Sequence, residues 1–205
     1  MTVDDAAIWR PTAAGRRAAA LSRFAAKYAP VSAASDYGAL HRWSVTEPAA
    51  FWAAAAEFLG LEFTHRPSHT LICGEHLSEA RWFVGGTLNY AQHLLREGLP
   101  EAALVCLDER GRRREVSRAE LREMVLRAAS GLQAQGVQPG DRVAVVLPNC
   151  LEAVVALLAA AAIGAVFSSC SPDFGSRAVI DRFAQIRPRV LIGCDGYVYG
   201  GKRFD

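Results

Sequence analysis

The apolar residues of this chain change their spacing twice, and each change predicts a different kind of element. Near the start, Leu21, Phe24, Ala25 and Tyr28 recur at helical intervals until Pro30 and the stretch Ser32 to Ser35 interrupt them, which predicts one amphipathic helix and then a loop. Phe51, Trp52, Ala55, Phe58 and Leu59 form a second helical face, with Thr46 placed to cap it, Pro48 just inside and Gly60 as its stop. Leu94 and Leu95 mark a short third helix that ends near Gly98-Leu99-Pro100.

From about Glu101 the pattern becomes one of alternating strands and helices. Ala103 to Leu107 and Arg113 to Val116 flank a Gly-containing turn, the signature of a hairpin. Ser117 and Glu120 stand at capping-box spacing ahead of a helix that sets Leu121, Met124, Val125, Ala128 and Leu132 on one face and stops at Gly136. Arg142 to Leu147 is then almost continuously apolar, as a strand covered on both faces requires. A second box, Asn149 with Glu152, opens the next helix, which runs to Ile163 before Gly164, and Ala165 to Ser168 is a second strand. After a polar turn, Val179, Ile180, Phe183 and Ile186 give another helix, Pro188 prevents its extension, and Val190 to Cys194 is a third strand. Two successive β-α-β units predict a parallel sheet. The expected fold class is α/β: a helical extension over residues 1–100, then, over 101–205, the first β-α-β units of a doubly wound, mostly parallel sheet that the chain does not complete.

Composition narrows the classes of function. The 205 residues are 51% hydrophobic and 21% charged, the makeup of a folded globular protein, and the net charge of +2 gives no basis for a nucleic-acid partner. The run Arg112-Arg113-Arg114 reads as a solvated turn. Five cysteines without a C-x-x-C pair, mostly inside apolar runs, read as reduced, buried thiols in a cytosolic protein. Asp4 and Asp5 stand where a secretory signal would be basic, and the apolar run from Ala153 to Phe167 is shorter than the roughly 20 residues that cross a bilayer. A cytoplasmic protein without a membrane partner is expected.

The turn from Ser168 to Gly175 joins a strand's C-terminal end to a helix N-terminus, where open α/β sheets bind ligands and free N–H groups attract anions. The same residues fit a second reading in which Ser171 or Asp173 only caps the helix. His65, His69, Cys73 and His76 have short spacings that suit zinc, but Pro67 and the strand-like Thr70-Leu71-Ile72 turn successive side chains apart, so no metal site is assigned. Cys170 lacks a basic partner and is read as a structural thiol. Motifs of phosphate-loop NTPases, dinucleotide reductases, α/β-hydrolases and zinc proteases are missing.

Four segments taken together carry a resemblance. WFVGGTLNYAQHLL (82–95), the hairpin and capped helix from Asp108, RVAVVLPNCLEAVVALLAAAAIGAVFSSCSPDFG (142–175) and VIDRFAQIRPRVLIGCDGYVYGGKRFD (179–205) resemble the adenylate-forming acyl-CoA synthetase superfamily from about Tyr37 to Asp205. The loop Ser168-Ser169-Cys170-Ser171-Pro172 is similar to that of its acetoacetate-CoA ligase branch, whereas acetyl-CoA synthetases carry a Gly-Gly-Phe-Ser-Pro type loop. The resemblance implies a two-step reaction. A carboxylate attacks the α-phosphate of ATP, magnesium accompanying it, to give an acyl-adenylate and pyrophosphate, and the thiol of coenzyme A then displaces AMP. It also implies that Ser168, Ser169, Ser171, Pro172 and Lys202 contact coenzyme A, the loop beside its pantetheine arm and the lysine near its phosphate. The family's phosphate-gripping loop, adenine contacts, hinge acid and C-terminal catalytic lysine have no counterpart in these residues. No catalytic residue is therefore assigned, and the chain without the remainder of the enzyme is expected to be inactive. An acetyl- or propionyl-CoA synthetase segment, a non-catalytic coenzyme A-binding module and a flavodoxin-like nucleotide binder are the alternatives, the last leaving the first hundred residues unexplained.

Overall fold

The computed structural model describes residues 9–34 and 36–204; Asp4, Asp5, Ser35 and Asp205 lie outside them. The chain forms two compact units, one running to Leu88 and the other starting at Asn89.

The first unit holds α1 (Ala13–Ala18), α2 (Ala20–Tyr28), α3 (Tyr37–Thr46), α4 (Pro48–Phe58), β1 (His69–Ile72) and β2 (Arg81–Val84). The single helix expected near the start is two, because Ala19 turns to an extended ψ of 140° between α1 and α2. A further helix, α3, begins at Asp36, whose carboxylate accepts the N–H groups of Gly38 and Ala39. Thr46 is the last residue of α3, and its hydroxyl donates to the Arg42 carbonyl at 2.9 Å. It therefore does not cap α4. Glu47 holds that position without a side-chain bond, and Pro48 starts the helix with its preset φ.

Aromatic rings fill the space between α2, α3 and α4. Phe24 lies near-parallel to Tyr28 and Trp43 and meets Phe51 and Phe58 edge-on, with centroids 5.4 to 6.2 Å apart. Leu59 is exposed, and Trp52, partly exposed, meets Trp82 of β2 edge-on. β1 and β2 pair antiparallel, His69 opposite Val84 and Ile72 opposite Arg81. Thr70 to Ile72 are half-buried rather than buried.

The second unit contains α5 (Tyr90–Leu94), the hairpin β3 (Ala102–Leu107) and β4 (Arg113–Ser117), α6 (Arg118–Ala134), β5 (Arg142–Val146), α7 (Leu151–Ala162), β6 (Val166–Cys170), α8 (Ser176–Ile186), β7 (Val190–Gly193), and a small hairpin of β8 (Tyr197–Tyr199) and β9 (Lys202–Phe204). β5 is central, with β6 and β7 parallel on either side. Its Val143, Ala144 and Val145 have no solvent exposure. Val143 and Val145 share one cluster with Leu121, Val125 and Leu132 of α6 and Leu158 to Ala160 of α7. Ala144 points to the opposite face by strand alternation, and both it and Phe183 of α8 are buried outside that cluster. That face stays open at β7, where Leu191, opposite Ala144 in register, is 60% exposed. Ile180, expected on the apolar face of α8, is exposed as well.

Helix ends in this unit are finished by side chains from distant segments. Arg118 and Arg122 donate to the carbonyls of Leu94 and Leu95 at the end of α5. The Asn89 amide donates to Ala161 and Ala162 at the end of α7, and Arg142 to Ile186 and Arg187 beyond α8. Gly136 and Gly164 stop α6 and α7 with φ of 80° and 73°. The Ser117 hydroxyl accepts from the Glu120 N–H as expected, but the Glu120 carboxylate accepts from Arg114 of β4 rather than turning back on Ser117. Asn149 does not cap α7: Cys150 is at that position and no side chain bonds there.

Two surface expectations are also corrected. Arg112, Arg113 and Arg114 are solvated as expected, but Arg113 and Arg114 sit on β4 rather than in a turn, and the three pair with Asp108, Glu115 and Glu120. The five cysteines are free, but Cys73 is exposed and the other four half-buried. Among the described residues no helix is long and apolar enough to cross a membrane.

Candidate functional site

A cleft of about 600 Å³ lies in the second unit beyond the C-terminal ends of the parallel strands. That position is expected in an open α/β sheet, because chain leaving each strand there splays apart before entering the next helix. Pro148 and Asn149, just after β5, and Ser171, Pro172 and Asp173, just after β6, form its floor. The β3–β4 turn, including Asp108, Glu109 and Arg110, and the segment Gly196 to Tyr199 form its walls.

The loop after β6 is organised around Asp173. The Ser171 hydroxyl donates to Asp173 Oδ2 at 2.7 Å and the Tyr197 hydroxyl donates to Oδ1 at 2.7 Å. These bonds hold the Asp173 carboxyl below the usual carboxylate range, Ser171 foremost, and the same Asp173 pushes the Tyr197 phenol up. Neither Ser171 nor Asp173 caps α8, whose N-cap is Gly175 without a side-chain bond. The capping alternative for this loop therefore fails, and its polar groups bond to one another and to Tyr197.

A second carboxylate ties the two hairpins together. Glu109, in the β3–β4 turn, accepts the N–H groups of Gly200 and Gly201, both at 2.9 Å. The two glycines turn the small hairpin with φ of 57° and 73°, a conformation that directs consecutive N–H groups to one side. Those donors, Gly201 first, hold Glu109 below the usual carboxylate range. Asp108 is lowered likewise by the backbone and side chain of Arg112. Tyr197 stacks on Phe204 across the hairpin, with centroids 5.1 Å apart.

Of the residues assigned from the sequence, Ser171 and Pro172 line the cleft. Ser168 and Ser169 lie upstream on β6, opposite Ala144 and Val145, one half-buried and one exposed. Lys202 is exposed on β9, opposite Tyr199 of the cleft wall. Sequence reasoning did not find Glu109, Arg110, Tyr197 or the placement of Asn149. The Gly200-Gly201 pair announces a tight turn, but a partner 91 residues away leaves no local signal. His65 and His69 bond to Thr87 and Ser68 through Nδ1, and no group of three His, Cys, Asp or Glu among the described residues is arranged to hold a metal ion. A second hollow of about 670 Å³, mostly apolar, lies between α6, α7 and the ends of β5 and β7. Burial at its edge pushes the Cys150 thiol up.

Comparison with known proteins fits this geometry. A family described as acetyl-coenzyme A synthetase N-terminus matches residues 37–94, and the AMP-binding enzyme family matches residues 96–201. An acetoacetyl-coenzyme A synthetase of Rhizobium meliloti (strain 1021) is 43% identical over 83% of this chain and 26% of its own length. A malonamoyl-CoA synthetase of Penicillium aethiopicum is 36% identical over 81% of this chain and 24% of its own. The solved structure of an acetoacetyl-CoA synthetase from Streptomyces lividans superposes with a TM-score of 0.88 at 46% identity, over 96% of this chain and 31% of that one. This chain thus spans about a quarter of the length of the curated relatives it matches. A match over just over half of the chain, on the α/β unit that holds the cleft, shows that the chain belongs to the AMP-binding enzyme family.

Proposed function

We propose that this chain serves an ATP-dependent acyl-CoA ligase of the cytoplasm that activates acetoacetate as an acyl-adenylate, with magnesium accompanying ATP, and passes the acyl group to coenzyme A. The observation that carries the reading is the cleft at the strand ends with Ser171 and Pro172 on its floor. It has the size and the mixed polar and apolar lining that a phosphate-bearing, partly aliphatic ligand needs. Ser171 and Pro172 are assigned to the pantetheine arm, Ser168 and Ser169 to the strand end that positions them, and Lys202 to a phosphate. No residue of this chain is assigned to the adenylation step or to magnesium. The remainder of the enzyme supplies them.

Acetoacetate is preferred because the Rhizobium and Streptomyces relatives bear that name at 43% and 46% identity. The match of residues 37–94 to an acetyl-coenzyme A synthetase N-terminus supports acetate as the second reading. The test is exchange of labelled pyrophosphate into ATP by the complete product of the gene, read from genomic DNA across the codon for Asp205. Exchange at least tenfold faster with acetoacetate than with acetate or propionate supports the proposal. A preference for acetate moves the assignment to the second reading, and no exchange with any short carboxylate sinks the ligase.

A further inference from the structure

The small β8–β9 hairpin cannot hold itself in place. It has three residues on each side and no third strand, a size at which an isolated hairpin in water is marginal. Its fixed points therefore lie outside it. One is at its base, where the Tyr197 hydroxyl donates to Asp173. Another is at its tip, where Glu109 takes the N–H groups of Gly200 and Gly201, one with each carboxylate oxygen. A carboxylate is a stronger acceptor than a neutral oxygen, and a two-point bond fixes orientation as well as distance.

Lys202 follows the clamped pair directly and stands opposite Tyr199, the last residue of the cleft wall. Whatever holds the tip therefore sets where Lys202 begins. We propose that Glu109 is a positioning residue: by clamping the Gly200-Gly201 turn it fixes Lys202 beside the cleft for a phosphate of the bound ligand. This inference rests on the coenzyme A reading of the cleft, since that reading supplies the phosphate. Both Glu109 oxygens are taken by the turn. The effect of Glu109 passes through it.

The experiment uses the 205-residue chain and two readouts. Amide exchange followed by NMR reports whether Gly200 and Gly201 are protected, in the unaltered chain and in Glu109→Ala and Glu109→Gln. The clamp predicts roughly tenfold faster exchange at both glycines in Glu109→Ala, an intermediate value in Glu109→Gln, which keeps one acceptor oxygen, and unchanged exchange in β5. Unchanged exchange at Gly200 and Gly201 overturns it.

Calorimetric titration with coenzyme A and with its analogue lacking the 3′-phosphate then reads the positioning. Glu109→Ala and Lys202→Ala are each expected to weaken coenzyme A binding roughly fivefold to tenfold, and the double variant no further than the worse single one, because both remove one contact. Binding of the dephosphorylated analogue is expected to stay unchanged. Additive losses, or equal losses for the two ligands, overturn the positioning role. If the unaltered chain binds neither ligand, the coenzyme A reading fails, and the exchange data still decide whether Glu109 holds the turn.

Discussion

The two units of this chain rely on aromatic residues to different degrees. In the first, rings are the core: Phe24 contacts Tyr28, Trp43, Phe51 and Phe58, and little aliphatic side chain is buried between the helices. In the second, Val, Leu and Ala fill most of the space between α6, α7 and the sheet, Phe167 packs against that cluster, Phe183 is buried outside it, and Tyr197 and Phe204 lie on the small hairpin. The difference follows from geometry. Three short helices offer few buried positions, and large flat side chains bury the most apolar surface at each. A parallel sheet covered by helices presents regular rows in which branched aliphatic chains interdigitate. Where a ring is not needed as filler, its hydroxyl is available, and Tyr197 uses it to hold the loop after β6.

Removing one ring from the hub gives the largest expected effect. Phe24→Ala is expected to destabilise the first unit by about 3–5 kcal/mol, since the ring's neighbours come from three helices and cannot collapse together into the hole. Chemical denaturation with tryptophan fluorescence checks it, Trp43 being stacked on Phe24. Val145→Ala in the second unit is expected to cost about 2 kcal/mol, because only two methyl groups leave the buried site. Denaturation followed by amide exchange in β5 reads it. A larger loss from Val145→Ala than from Phe24→Ala reverses the comparison.

The smallest effect tests the ring on the small hairpin. Tyr197→Phe keeps the stack on Phe204 and removes one donor from Asp173, so the Asp173 pKa is expected to rise toward its ordinary value. The depressed carboxyl contributes stability above its unfolded-state pKa that is lost as pH falls through its lower folded value. That contribution shrinks in the variant, by its full amount above the unfolded-state pKa and by less as pH falls below it, and a carboxyl-carbon NMR titration of Asp173 reads the change. An unmoved Asp173 pKa means that Ser171 alone sets it.

Much of the second unit was legible because its signals are local. The apolar run from Arg142 to Leu147 could only be a covered strand, and Gly136 and Gly164 marked helix ends within one residue. The two misread helix caps share one cause, which is competition for a polar side chain. Thr46 fits an N-cap by spacing, but α3 runs up to it and its hydroxyl takes the nearer Arg42 carbonyl. Asn149 fits a box with Glu152, yet it lines the cleft while Cys150 starts α7 uncapped. Ser171 and Pro172 were found because a strand-to-helix turn is a local pattern. Glu109 and Tyr197 were not, since their partners are 91 and 24 residues away and tertiary structure alone brings them together.

The central place of β5 also sets a timetable. Val143 pairs with Phe167 and Val190, 24 and 47 residues downstream. A ribosome adding roughly 5–20 residues per second therefore leaves the strand waiting about one to five seconds for its first partner and about two to nine for its second. During that interval an apolar strand has both edges open to any extended segment nearby. The helix α6, made before it, and α7, made directly after it, are the first cover it can obtain. Codons that slow translation between α7 and β7 would lengthen this exposure, and with it the chance that a nascent chain pairs with the wrong neighbour.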